Sequence, residues 1–394
     1  MTERTTVPIT EGGAPPSPPL VLHIIPTTTA RGAQREARAL ADELDAPGVR
    51  IHRLLSLFAG PPQVASDYSL GHPGGSAPGV GFSLGLVRRL RATLDRLDPA
   101  VVVAHGGEPL KYLVAAMVGR RRPLLYYAIG TYSGGGRRIQ LELWRHLMAR
   151  ADVVAAEGQE VLDECVKRFG VPPSRVALAP NGRDPDVFHP PSEDRAPEQP
   201  LVLFVGALTS GKGPDRFVEV VARLRKRGTP VRAELIGDGP LRDTVAGPAR
   251  EAGVELLGPR SDVAERMRLA DVMVFCSRPA GEGMPGVLIE AGLSGLPVVA
   301  TAVPGVRTIV ENEVSGFVVD VDDLAAMVQA TARLVAEPGL RRTMGDAGRQ
   351  RCRQRFSLDA VAACWAAFLD PLVLRSVSRR PGRSGPGTRH ARGV

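Results

Sequence analysis

The sequence predicts an α/β protein made of two Rossmann-like halves that face each other across a cleft. Short β-rich apolar runs alternate with amphipathic stretches, which is the pattern of βα units building a parallel sheet. The series occurs twice, on either side of a proline-rich break at residues 191–200. A length of 394 residues suits two ordinary domains, and 43% hydrophobic with 23% charged residues is the composition of a globular chain.

Residues 1–19 are rich in Pro, Gly and Thr and hold almost no large apolar side chain, so burial cannot offset their ordering entropy and a disordered tail is expected. The first domain, 20–190, carries strands at 20–25, 49–55, 100–104, 124–129 and 153–156. Helices are expected from about Arg31, over 82–97, and near 108–119, 138–150 and 159–169. The Gly/Pro/Ser-rich stretch 60–81 reads as a mobile loop near a site. After the linker, the second domain, 201–355, carries strands at 201–206, 232–237, 254–258, 272–277, 297–301 and 316–320. Phe217, Val220, Val221 and Leu224 recur at helical spacing behind Pro214, which suits a first-turn position because its missing N–H is not needed there. A closing helix over 356–372 and a basic disordered tail over 373–394 complete the chain.

Several function classes lose support from these residues. The four cysteines, Cys165, Cys276, Cys352 and Cys364, form no CxxC pair, so neither a disulfide framework nor a zinc site is expected. No run of about 18 apolar residues and no signal peptide is evident, which gives a cytoplasmic expectation. The net charge of +8 suggests nucleic acid until it is located: the tail contributes six arginines and no acid, leaving a body near +2 and no nucleic-acid partner. Arg88, Arg89, Arg91 and Arg96 lie beside Leu86, Leu90, Leu94 and Leu97, which reads first as a core-facing helix with a solvated face. Peripheral contact with an anionic membrane at its inner face is kept as the alternative.

The most informative segment is Gly281-Glu282-Gly283-Met284-Pro285-Gly286-Val287-Leu288-Ile289-Glu290-Ala291, closed by Gly295. Pro285 suits the first helical position and Gly295 the stop, so a short helix should present the amides of Gly286, Val287 and Leu288 to an anion such as a diphosphate. Glu290 lies four residues after Gly286, on the same face and deeper. A carboxylate among apolar neighbours needs hydrogen-bond donors, which ribose hydroxyls would supply. Glu290 could instead belong to a solvated stripe and Glu282 could be an exposed loop acid. A second anion loop is Gly206-Ala207-Leu208-Thr209-Ser210-Gly211-Lys212-Gly213, where the glycines permit close approach and Lys212 offers a point charge. It is not an ATP-binding P-loop, because Gly213 stands where Ser or Thr would hold magnesium.

The Gly206 loop, Gly237-Asp238-Gly239-Pro240, the Glu282 and Glu290 pair with seven residues between, and Gly295 to Thr301 together resemble the family 4 retaining glycosyltransferases. The resemblance is close over about 196–370 and looser over 20–190. Asn181-Gly182-Arg183-Asp184 resembles that family's hinge, and Phe356-Ser357 the start of its closing helix. The resemblance implies a GT-B fold and retaining transfer from a UDP- or GDP-sugar to a glycan, lipid-linked or small-molecule acceptor, with no cofactor and no metal. It assigns Lys212 to the diphosphate, Glu290 to ribose, and Glu282 with the amides after it to the sugar. Gly32, Ser210, Gly237, Arg260, Gly283, Met284, Pro285, Gly286 and Val287 complete the expected donor site.

Three departures stand out. Ala207 occupies a position that is usually Arg, Gly32 alone remains of a Gly-Gly loop, and Gly130-Thr131 replaces a His near the reacting sugar. His105, or Glu108 from the same HGGEP run, is the candidate to stand in for that His. The triplets Asp184-Pro185-Asp186 and Asp320-Val321-Asp322 are read as hinge and helix-cap residues, with Asp322 as N-cap, and not as a metal site. The alternatives are a nucleotide-sugar-binding relative without transfer activity and, more remotely, an NAD-dependent oxidoreductase, which the absence of GxGxxG after the first strand disfavours.

Overall fold

The computed structural model describes residues 18–29, 32–46, 48–73, 82–132, 138–192, 199–279 and 283–379. Its first half holds β1 (Leu20–Ile25), α1 (Gly32–Leu44), β2 (Ile51–Phe58), β3 (Tyr68–His72), α2 (Leu84–Leu97), β4 (Val101–His105), α3 (Gly107–Ala116), β5 (Leu124–Ala128), α4 (Arg138–Ala149), β6 (Val153–Ala156), α5 (Gln159–Lys167) and β7 (Val176–Leu178). The second half holds β8 (Leu201–Val205), α6 (Pro214–Lys226), β9 (Arg232–Ile236), α7 (Arg242–Ala252), β10 (Glu255–Gly258), α8 (Val263–Leu269), β11 (Val272–Phe275), α9 (Gly286–Leu293), β12 (Val298–Thr301), α10 (Val306–Ile309) and β13 (Gly316–Val319). Three helices, α11 (Leu324–Ala336), α12 (Pro338–Phe356) and α13 (Leu358–Ser378), close the chain.

Both sheets are parallel, ordered β3-β2-β1-β4-β5-β6-β7 and β10-β9-β8-β11-β12-β13. Chain order reverses between β1 and β4 and between β8 and β11, and open α/β sheets bind ligands outside the carboxyl ends of strands at such points. Gly32 follows β1, the Gly206 loop follows β8, and the segment leading to Gly286 follows β11, so the sequence motifs fall where the topology opens a crevice.

The apolar pattern is used as its spacing requires. Phe217, Val220, Val221 and Leu224 are fully buried on α6, and Leu86, Leu90 and Leu94 are buried on α2 while Arg88, Arg89 and Arg96 stay exposed. α2 is therefore the core-facing helix with a solvated basic face. All four cysteines are free, three of them buried.

Four expectations need correction. The stretch 60–81 contains β3, whose half-exposed YSLGH has no strong apolar alternation and is ordered by pairing with β2 at the sheet edge; 74–81 lie outside the described residues. The three-residue β7 was also missed, too short to carry a pattern of its own, and it is completed by β6. The cap of α11 is Asp323, which accepts from the Ala326 amide at 2.8 Å, while Asp320 accepts from the amide of Asp322. Finally, α13 runs past residue 372 to Ser378 and is, by length and composition, long enough to cross a membrane. It lies instead on the first sheet, with Val361, Trp365, Leu369 and Leu372 buried against β1 and β4 residues.

Candidate functional site

The two halves meet through their post-strand loops around a cavity of about 290 Å³. Gly32 and Glu36 of α1, Gly130 after β5, Glu157 after β6, Asn181 and Arg183 of the hinge, and Gly283, Met284 and Gly286 at the start of α9 line it. The hinge is held by the closing helix junction: the Arg183 amide donates to the Phe356 carbonyl and the Leu358 amide to the Arg183 carbonyl, both at 2.9 Å. This parallel bridge of Arg183 with Ser357 joins residues 174 positions apart in the chain and returns α13 to the first domain.

The short helix forms as its punctuation predicts, with one shift. Pro285 is the N-cap and Gly286 the first helical residue, while Gly295 ends it with a left-handed φ of 68°. Of the three amides expected to face an anion, that of Leu288 already donates to the Pro285 carbonyl at 3.0 Å, which leaves Gly286 and Val287. Glu290 faces the hinge, not bulk water. The Arg183 Nε donates to its Oε1 at 2.7 Å, and both side chains keep less than a fifth of their exposure. The hydrogen-bond donor that a carboxylate here requires is thus supplied from within the chain, where the sequence suggested ribose. The same guanidinium lies 3.7 Å from Glu36 and occupies the space above Gly286, where a Cβ would fall 1.9 Å from Nη2. A cation therefore sits on the positive end of α9, an arrangement that an anion between them would favour.

Two more acids border the cavity, both missed in the sequence. Glu36 accepts from the Gly182 amide at 3.3 Å, and its burial, opposed by Arg183, pushes it up to about 7. Glu157 accepts from the Gly130 amide at 2.5 Å, and burial, opposed by that hydrogen bond and reinforced by the nearby Glu36 charge, pushes it up to about 8. Neither carries a motif: Glu36 lies within α1 and Glu157 just after β6, and only the tertiary fold encloses them.

The Gly206 loop is clamped on its neighbours. The Leu208 amide donates to Asp238 at 2.9 Å, and a Cβ on Gly237 would fall 1.8 Å from the Gly206 carbonyl oxygen, so that position accepts glycine alone. Gly213, at φ 68°, caps α6 with its Cα against the Cys276 carbonyl, which brings the loop beside the end of β11. Lys212 is half-buried in this loop, and Ser210 is exposed, its carbonyl taken by the Arg278 guanidinium. Arg260 follows the edge strand β10 and is held by Asp262 through bonds of 2.6 and 2.7 Å. Glu282 lies outside the described residues.

His105 requires correction. Its ring is 3% exposed, stacks on Trp365 and bonds His23 at 2.8 Å, and His23 in turn bonds His52 at 2.8 Å. Burial drives His105 down to about 3, so it is a neutral core residue turned away from the cleft. Glu108 pairs with Lys111 at 2.9 Å on the first turn of α3. Among the described residues, no group of three or more His, Cys, Asp or Glu is placed to hold a metal ion.

Two family models tile this architecture: Glycosyltransferase Family 4 over residues 30–187 and Glycosyl transferases group 1 over residues 199–337. The chain belongs to the family 4 glycosyltransferases. Among curated members it is 32% identical over 260 residues to D-inositol 3-phosphate glycosyltransferase of Xylanimonas cellulosilytica, covering 60% of each chain. It is 30% identical over 218 residues to the GDP-mannose-dependent α-(1-6)-phosphatidylinositol monomannoside mannosyltransferase of Mycolicibacterium smegmatis, covering 50% of this chain and 57% of that one. The alignments thus span three-fifths or less of these relatives' own length. In fold it matches Anabaena HepE, solved in complex with UDP and glucose, with a TM-score of 0.71 and 20% identity over 89% of this chain and 99% of that one. The GT-B fold is therefore the one the sequence predicted, and the family sets aside the oxidoreductase alternative.

Proposed function

We propose that this chain transfers a sugar, with retention of configuration, from a UDP- or GDP-sugar to a glycan, lipid-linked or small-molecule acceptor. The observation that carries this reading is Glu290, one turn inside the amino end of α9 and held by Arg183, which lines the interdomain cavity. In this reading the diphosphate lies between Lys212 and the Gly286 and Val287 amides, Glu290 takes the ribose once Arg183 shares or yields it, and Glu282 with Gly283 and Met284 receives the sugar. The bond from the anomeric carbon to the diphosphate breaks as the acceptor oxygen bonds on the same face, and the acceptor proton passes to the departing phosphate oxygen. The protein's main contribution is to stabilise the charge that builds on the leaving group. No metal and no cofactor are assigned a role.

The relatives' names favour an inositol phosphate or a phosphatidylinositol mannoside among acceptors and GDP-mannose among donors, and the fold neighbour solved with UDP and glucose keeps a UDP-sugar beside it. Donor consumption in the presence of acceptor extracts tests the reading. Ala207 and the buried His105 favour the second reading, a binder of nucleotide sugars without transfer, which would hold UDP or GDP and consume neither sugar donor. A lipid-linked acceptor would bring the chain to a membrane. Phe82 and Leu84 are more than half exposed at the start of α2, next to exposed Arg88 and Arg89, and would make that contact. Flotation with anionic liposomes checks this, and an unbound protein would dismiss it.

A further inference from the structure

Glu157 does something the donor site as assigned above does not explain. Its carboxyl is 3% exposed at the end of β6 in the first domain, yet it presses on a loop of the second. A Cβ on Gly283 would fall 1.8 Å from its Oε1 and 2.9 Å from the Gly130 Cα, so three chain segments converge on one point that only a glycine at 283 permits. The Met284 amide and the Asn181 side chain lie near the Glu157 carboxyl and favour its charged form. Asn181 reaches the Met284 carbonyl through Nδ2 at 2.9 Å and its thioether through the backbone amide at 3.4 Å. The Tyr127 hydroxyl donates to Asn181 Oδ1 at 2.9 Å, which fixes the amide in the orientation that points Nδ2 at Met284. From the other side, the turn at Gly305, at φ 78°, lies against the Gly283 carbonyl, so the loop is held between two walls.

We infer that Glu157 is a positioning residue for transfer: it joins Gly130 of the first domain to the Gly283-Met284 loop of the second and sets that loop to receive the donor sugar when the domains are closed. The inference rests on the donor reading above. The loop lies in the chain between Glu282, assigned to the sugar, and Gly286, assigned to the diphosphate, whereas Glu290 is held by Arg183 of the hinge. Its removal therefore loosens the sugar end of the site and leaves the nucleotide end formed, because preorganisation is lost only where the loop was held.

The test is calorimetric binding of UDP, UDP-glucose, GDP and GDP-mannose to the full chain, Glu157→Ala, Glu157→Gln and Glu290→Ala. Glu157→Ala should lower affinity for whichever sugar nucleotide binds by about tenfold, the value of one well-placed hydrogen bond, and leave the bare nucleotide nearly unchanged. Glu157→Gln keeps an oxygen for the Gly130 amide and should lose less than Glu157→Ala. Glu290→Ala should weaken nucleotide and sugar nucleotide alike. An unchanged ratio of sugar-nucleotide to nucleotide affinity in Glu157→Ala overturns the inference, and if that variant does not fold, the same ratio in Glu157→Gln decides. Failure of all four probes to bind the parent chain strikes the donor reading itself, and this inference with it.

Discussion

The Arg183 guanidinium, from the hinge, holds the Glu290 carboxylate of α9 at 2.7 Å and lies 3.7 Å from Glu36 of α1. One cation thus ties three segments that are remote in sequence. Arg183→Met removes it and leaves two enclosed acids facing each other. Breaking a buried pair on one side costs about 3–5 kcal/mol, and residual exposure of this pair places the loss toward or below the lower end. Urea denaturation should show a midpoint shift of that size, while a shift within error would mean that water replaces the guanidinium without cost.

Nucleotide binding should stabilise the parent chain and spare Glu290→Ala. A ligand at one hundred times its dissociation constant adds about 2.7 kcal/mol. A thermal-shift panel with UDP, GDP and their sugars reads this directly. Equal shifts in parent and variant would remove Glu290 from the pocket.

Stability should peak near pH 6.5. His52 and His105 titrate in the fold at about 3, and His23 is also lowered, all first by burial, whereas the unfolded groups take protons below about 6.5. Their stabilisation is complete above that pH and is lost as it falls. Glu36 at about 7 and Glu157 at about 8 have the opposite sign, because the fold keeps protons that the unfolded chain releases above about 4.5. Between pH 4.5 and 6.5 the three histidines outweigh the two glutamates, so the unfolded chain binds more protons and stability falls on acidification. Below that window Glu36 and Glu157 no longer oppose the histidines and the fall steepens, helped by Asp45, Asp215 and Asp359, which hydrogen bonds hold below their usual range. Above pH 6.5 the two glutamates make stability decline until about pH 8. Chemical denaturation from pH 4 to 9 measures the curve, and a profile flat from 5 to 8 would contradict the burial of these five groups.

Two glycines should separate folding from binding. Gly213→Ala must adopt a left-handed φ and push a Cβ to 2.4 Å from the Cys276 carbonyl oxygen, so a loss of at least about 1–3 kcal/mol is expected. Gly32→Ala meets no atom of the described residues within 4 Å and should melt like the parent. Because Gly32 lines the cavity, that variant should instead weaken nucleotide-sugar binding, and unchanged affinity would remove Gly32 from the donor site.

The sequence by itself determined the two parallel sheets, the α6 and α2 faces, the short α9 and its stop, because apolar periodicity, proline at a helix start and glycine at its end act over a few residues. It also placed Glu290 on a short helix and the Gly206 loop between a strand and a helix, since each belongs to a spacing within one βα unit. It misplaced His105, because a histidine after a strand has the same local pattern whether its ring meets substrate or the Trp365 face of α13, which arrives 260 residues later. The donor for Glu290, the linkage of Glu157 to Met284 and the enclosure of Glu36 were decided only by the tertiary structure. Each is a contact between segments far apart in the chain, and its energy comes from burial that no single segment can produce.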